Sequence, residues 1–349
     1  MSMDDEIRAL RTSVALAAGN HVTCLRIEGE GAYEALDAVV ACDLFLQDGQ
    51  MRPSLLLDEE ARPFADIHVA RDDESFYLLA EGPSPAELVD YLKGHFPSGI
   101  DAAVEPCDGA LLSVHGPYAW ELCTAVLGPD VGSLPYLAFY RADDGVFFRS
   151  GKTGEYGYDL LIPQGMLSTV RASLLAEGAA FDLGLASLSA LDQCGLENGF
   201  FNIRREGRAG LTPLELGLQW RVSYRKDYVG SAALRARREA GAKARVVWAV
   251  ASAAIAEGDE VFLDEQRIGV VLTSGFSVIR GDWVALLLLD LPYAYAGVDR
   301  YEASRAGERL PLRTVSAPLL NNRSLYVSPQ RHDYRGRDES KMPPFVLPL

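Results

Sequence analysis

The chain has 349 residues, 48% of them hydrophobic, a formal charge of −16 and five cysteines. That length and apolar content suffice for a large core divided among two or three domains. The acidic balance argues against nucleic acid and anionic membranes as partners, because both are held through clustered Lys and Arg.

Met1-Ser-Met-Asp-Asp-Glu lacks the basic and apolar regions of a secretory signal, and no apolar run approaches the roughly 20 residues of a membrane helix. Cys24, Cys42, Cys107, Cys123 and Cys194 are scattered and odd in number, which suits neither a disulfide framework nor a metal site. A cytoplasmic protein without bound metal is expected.

In chain order, residues 20–28 read as a strand, with Val22 and Cys24 on one face and Leu25 and Ile27 on the other. Gly29, Glu30 and Gly31 make a turn into a short helix over 32–40. Strands at 53–58 and 67–70 flank the charged turn Asp58-Glu-Glu-Ala-Arg62, and 76–80 closes the meander. Ser84-Pro85 is a favourable start for a helix over 86–96, whose Leu88, Leu92 and Phe96 share one face. A strand at 110–114 and a helix at 117–127 repeat the strand and helix order, so two α+β units are expected. After Gly241 the pattern turns to strands at 246–251, 261–263, 268–273 and 283–291, and from Asn321 onward the composition suggests a tail that wraps the surface or stays loose.

Three motifs stand out in order. They are Ser150-Gly-Lys-Thr-Gly-Glu-Tyr-Gly-Tyr-Asp159, Leu188-Ser-Ala-Leu-Asp-Gln-Cys-Gly-Leu-Glu-Asn-Gly199, and Leu211-Thr-Pro-Leu-Glu-Leu-Gly-Leu-Gln-Trp220. The first resembles the glycine-rich segment of the glycine-cleavage T-protein (aminomethyltransferase) family. The other two resemble its Ala-Arg-Asp-x-x-Arg-Leu-Glu-x-Gly helix and its Thr/Ser-Pro-x-Glu element. Ile268-Gly-Val-Val-Leu-Thr-Ser-Gly275 looks like a strand of the family's C-terminal barrel.

The resemblance implies an α+β fold of two interleaved, ferredoxin-like subdomains plus an antiparallel β-barrel around a central channel. The expected divisions are 1–240, split near 108, then a barrel over 241–320 and a tail over 321–349. It also implies tetrahydrofolate, with Asp159 as the carboxylate that takes the pterin's paired N–H donors. Lys152, Glu81 and Tyr158 are further candidate folate contacts, packing being the competing role for Tyr158. Asp66 and His21 are the candidate catalytic residues, although a lone His on a strand is more often structural.

Departures from the family pattern are as informative as the matches. Phe64-Ala-Asp-Ile67 puts Ala65 where the resemblance places a catalytic Asp, Leu191 and Gly195 stand in place of two arginines, Lys152 replaces a Tyr and Ala18 an Asp. Leu191 reads as part of an apolar helical face, and Asp192 and Glu197 as structural. These changes weigh against the glycine-cleavage reaction, which needs organised proton handling. They favour transfer of a methyl or other one-carbon unit from a small-molecule donor, and a cationic donor would suit the carboxylates Asp66 and Glu81. The alternatives are a folate-binding protein without turnover, or a fold recruited to another ligand. The branch of the family with a reactive Cys is disfavoured, since Arg225-Lys-Asp-Tyr-Val-Gly-Ser231 has none.

Overall fold

The structure, a computed structural model, describes residues 2–339 and 341–346. Two sheets face each other. The first is antiparallel, in the spatial order Met51–Leu57, Pro63–Asp72, Ser75–Glu81, Val22–Glu28, Ala103–Pro106. Strict alternation gives it two different faces. Ala65, Ile67, Val69, Leu78 and Ala80 pack with Leu36, Leu88 and Leu92 from the helices Ala32–Asp37 and Pro85–His95. Met51, Ala70, Tyr77 and Leu79 face the opposite way, onto the second sheet.

The second sheet runs Gly184–Ala186, Ala15–Ala18, Ala110–His115, Gly157–Ile162, Gly145–Phe148, Phe139–Ala142. Only its first pair is parallel. Leu112, Val114, Tyr158, Leu160 and Ile162 turn toward the helices Ala119–Leu127 and Leu167–Gly178. Leu111, Phe148 and Leu161 turn toward the first sheet. The helix Met3–Thr12 and strand Ala15–Ala18 thus belong with the second sheet, so the first begins at Val22 and not at the chain's start. This is how the two units interleave.

The barrel closes through Ala244–Ala251, Asp282–Asp290, Gln266–Ser277, Glu260–Leu263, Tyr301–Arg305 and Glu308–Val315. Its outer residues Val246, Leu286 and Val315 pack against Leu216, Leu218 and the first sheet's Leu55 and Leu57. The tail is docked: Val327 and Tyr334 lie buried in the second sheet's core, and the backbone N–H groups of Arg323 and Ser324 donate to Glu155. The cysteines are less scattered than their spacing suggests, since Cys24 and Cys107 bring their Sγ atoms within 3.4 Å. Among the described residues no helix is long and apolar enough to cross a membrane.

Candidate active site

The facing surfaces of the two sheets are apolar at one end and polar at the other. The polar end is a cavity. In Pro63–Asp72 the residues that alternate toward the second sheet are Asp66 and His68, and in Ser75–Glu81 they are Leu79 and Glu81. From the opposite sheet come Ser113, His115 and Asp159. The cavity, about 750 Å³ including the part open to solvent, is also lined by His21, Lys152, Leu191, Asp192, Gly195 and Arg204. A second cavity of about 980 Å³, toward the barrel, shares Asp66, His68, Gly151, Lys152, Phe200 and Phe201 with it. Asp66 and Lys152 therefore stand where the two meet.

Asp66 and Glu81 are direct partners across neighbouring strands, an arrangement that repels unless cations intervene. Lys152 Nζ donates to Asp66 at 2.7 Å and also to Glu81. Arg221 holds the other oxygen of Asp66, and Arg204 joins Glu81 to Asp192. Burial alone would raise the Asp66 pKa, but Arg221 and Lys152 overcome it and hold the carboxyl well below its usual range. Glu81 is likewise lowered, burial being outweighed by Lys152 and Arg204. Lys152 is raised, because its two carboxylates outweigh its burial. Asp66, Glu81 and Lys152 are therefore charged near neutral pH, and they compensate one another.

Asp159 is different. Ser113 Oγ donates to its Oδ1 at 2.6 Å and Ser150 Oγ donates to its Oδ2, so both oxygens are held by neutral hydroxyls. The glycine-rich loop delivers this arrangement. Gly154 has φ +81°, and a Cβ there would come within 2.4 Å of Asn198 Oδ1. Gly157 lets the chain pass beside Ser150, where a Cβ would lie 2.2 Å from that residue's carbonyl oxygen. Three imidazoles complete the walls. Burial lowers the pKa of His21 and His115 and takes that of His68 down to about 4, so His68 is neutral near pH 7. Glu206, on the second cavity, goes the other way: burial pushes it up to about 7.

The expected site residues fall out as follows. Asp66, His21, Asp159, Lys152 and Glu81 all line the cavity. Tyr158 does not: it is 1% exposed in the second sheet's core and its hydroxyl donates to the Gly132 carbonyl at 2.9 Å. Strand alternation places its side chain opposite to that of Asp159, which removes it as a folate contact. The same alternation changes the meaning of Ala65. It is fully buried against the helices, while Asp66 faces the cavity, so alanine at 65 takes no carboxylate out of the site. Leu191 lines the cavity as well as extending an apolar face. Glu197 is structural, pairing at 2.6 Å with the buried Arg11, but Asp192 reaches the cavity through Arg204.

Arg204, Arg221, Ser113, His115, His68 and Glu206 were not anticipated. Polar residues at alternate positions of otherwise apolar strands, as in His68 after Asp66 and His115 after Ser113, were the available signal. Arg204 lies in a turn and Arg221 in the three-residue 3-10 helix Gln219–Arg221, both too short for any periodicity to mark them.

The GCVT N-terminal domain family model matches residues 1–226. The chain belongs to the aminomethyltransferase (T-protein) family. Similar relatives include the aminomethyltransferase of Corynebacterium aurimucosum, 27% identical over 90% of this chain and 89% of that protein. The Mycobacterium tuberculosis aminomethyltransferase is 29% identical, covering 90% of this chain and 88% of its own length. In three dimensions the fold matches the glycine cleavage system aminomethyltransferase T of Bartonella henselae, with TM-score 0.85 and 24% identity over 92% of this chain and 90% of that one. In T-protein terms, the glycine-rich segment with Asp159 and the paired sheets with Asp66 lie within the matched region.

Proposed function

We propose that this T-protein family member is a tetrahydrofolate-dependent transferase that takes a methyl or other one-carbon unit from a small-molecule donor, and that glycine cleavage is not its reaction. The observation that carries the folate part of the reading is Asp159. An ionised carboxylate offers about two acceptor directions on each oxygen. One on each is occupied by a serine hydroxyl, which leaves one on each for a ligand. A planar ligand edge with two adjacent N–H donors, such as the pterin edge of tetrahydrofolate, satisfies that pair in bidentate fashion. The residues present fit the cofactor, whose contribution when bound is the nucleophilic N5 that receives the carbon unit.

The rest of the site favours a transfer in which the leaving group needs no proton from Asp66. That carboxylate is ionised and has an N–H donor on each oxygen, so it cannot serve as a general acid near neutral pH. Nor do Asp66 and Glu81 serve as free charges to attract a cationic donor, because Lys152, Arg204 and Arg221 already neutralise them. The roles left to this network are to fix the geometry between the two cavities and to exclude water. Neutral His21 and His115 flank the Asp159 end as uncharged hydrogen-bonding groups.

The test is anaerobic titration with tetrahydrofolate, followed by chromatographic detection of 5-methyl- or methylene-tetrahydrofolate on incubation with candidate donors. Binding and one-carbon product formation in the absence of lipoyl protein support the proposal. Product formation only from an aminomethylated lipoyl arm would return the protein to glycine cleavage.

A further inference from the structure

Two cations that line the second cavity, Arg221 and Lys152, keep N–H groups that no described residue uses. Arg221 is 95% buried, with 5% exposure, and lines this cavity beside Lys152. Its Nη2 is spent on Asp66 and on the Ser54 carbonyl at 2.7 Å. Its Nε is buried without a partner, and its Nη1 makes no hydrogen bond to any described residue. Lys152 uses two of its N–H groups on Asp66 and Glu81, which leaves one of the three an ammonium carries. Asp66 has already given each oxygen to one of these cations. An unpartnered buried donor on a charged group is costly, and the unused N–H groups of Arg221 and Lys152 lie on either side of Asp66. Most of the remaining wall is apolar or aromatic, including Tyr136, Phe200, Trp220 and Trp248, with Glu206, His68 and Asn198 as its other polar side chains.

We propose that the second cavity is the donor site, and that Arg221 and Lys152 recognise a carboxylate on a donor molecule whose body is small and apolar. The donor assignment rests on the transferase reading, while recognition of the carboxylate stands on the cavity alone. Arg221 Nη1 and the unused N–H of Lys152 each offer one charge-assisted hydrogen bond to the carboxylate, and the aromatic walls cover the rest of the ligand while Trp220, 70% exposed, forms part of the rim. Asp66 then acts as a positioning residue that holds both cations at the junction.

The experiment uses the full chain without folate and follows tryptophan fluorescence on titration with benzoate, and with benzamide as its uncharged counterpart. Benzoate is expected to bind at least about tenfold more tightly than benzamide, the loss of one charged hydrogen bond being worth about that much. Arg221→Gln should abolish the preference. Because that change also loosens Asp66, Trp220→Leu is the second variant: it should weaken benzoate several-fold at an unchanged melting temperature. Equal binding of the two probes, or binding of neither, overturns the proposal.

The same cations could instead read the glutamate carboxylates of the folate. In that case Arg221→Gln would weaken tetrahydrofolate but leave 6-methyltetrahydropterin untouched, and benzoate would compete with the former only. That pattern overturns the donor assignment. Benzoate binding in a protein that ignores tetrahydrofolate would sustain the carboxylate site and defeat the transferase reading.

Discussion

At the scale of single residues, the site is decided by which carboxylates are compensated and how. Asp66 and Glu81 face each other across two strands, and among the described residues Lys152 is the one cation that touches both. Lys152→Met should therefore destabilise the fold by about 3 kcal/mol or more, the usual cost of stranding a buried charge. Adding Glu81→Gln should recover part of that loss, and chemical denaturation of the two variants measures both effects. A Lys152→Met protein as stable as the parent would show that solvent, not Lys152, compensates the pair.

Glu206 gives a prediction in pH. Its folded-state pKa is raised from 4.5 to about 7, so across that window the native state binds more protons than the unfolded chain. Its contribution to stability is full at low pH and is lost as pH rises toward 7, by roughly 3 kcal/mol in all. Glu206→Gln keeps the neutral form at every pH. The stability difference, variant minus parent, should grow from pH 4.5 to 7 and then level off; a flat difference would mean that Glu206 is ionised in the fold.

At the scale of elements, alternation along the central strands explains both what could be read and what was misjudged. Leu25 and Ile27 are fully buried on one face of Val22–Glu28, as their spacing suggests. The expected strand over 67–70 is the middle of a longer one, Pro63–Asp72. That strand's own alternation separates Ala65 from Asp66, a distinction that motif matching alone cannot make. The four-residue strands Phe139–Ala142 and Gly145–Phe148 were not legible, being too short to show a period. The opening helix Met3–Thr12 begins with a capping box at Ser2 and Asp5 that is legible in the sequence.

The tail could not be placed from composition because what fixes it is long-range. Tyr334 sits edge-on to Tyr118 at 5.3 Å and donates to Asp182 at 2.7 Å. Tyr334→Ala should cost about 3–5 kcal/mol, as expected for emptying a buried aromatic site, and would appear as a lowered unfolding midpoint. No change in that midpoint would mean that the tail is not docked in solution.

At the scale of the whole molecule, the motifs were legible because they carry the backbone geometry that the fold needs. The glycine-rich loop and the helix Leu188–Asn198 are locked together through Arg11, which pairs with Glu197 and donates to the Thr153 carbonyl. Family membership and the three-part architecture follow from that framework. The ionic network did not, because Lys152 and Arg204 in loops and Arg221 at the end of the short 3-10 helix Gln219–Arg221 converge only once the sheets, the loop and the barrel are assembled. The resulting molecule has a polar cavity ending in a serine-braced carboxylate and an aromatic cavity with spare cationic donors, joined at Asp66 and Lys152.

The central claim is that Asp159 holds tetrahydrofolate, and anaerobic calorimetry of the parent protein and Asp159→Ala tests it most directly. The account predicts micromolar binding that falls by about 100-fold or more in the variant, since two hydrogen bonds to a charged group are lost. Tetrahydrofolate binding that is absent from the parent, or equally tight in Asp159→Ala, would contradict it.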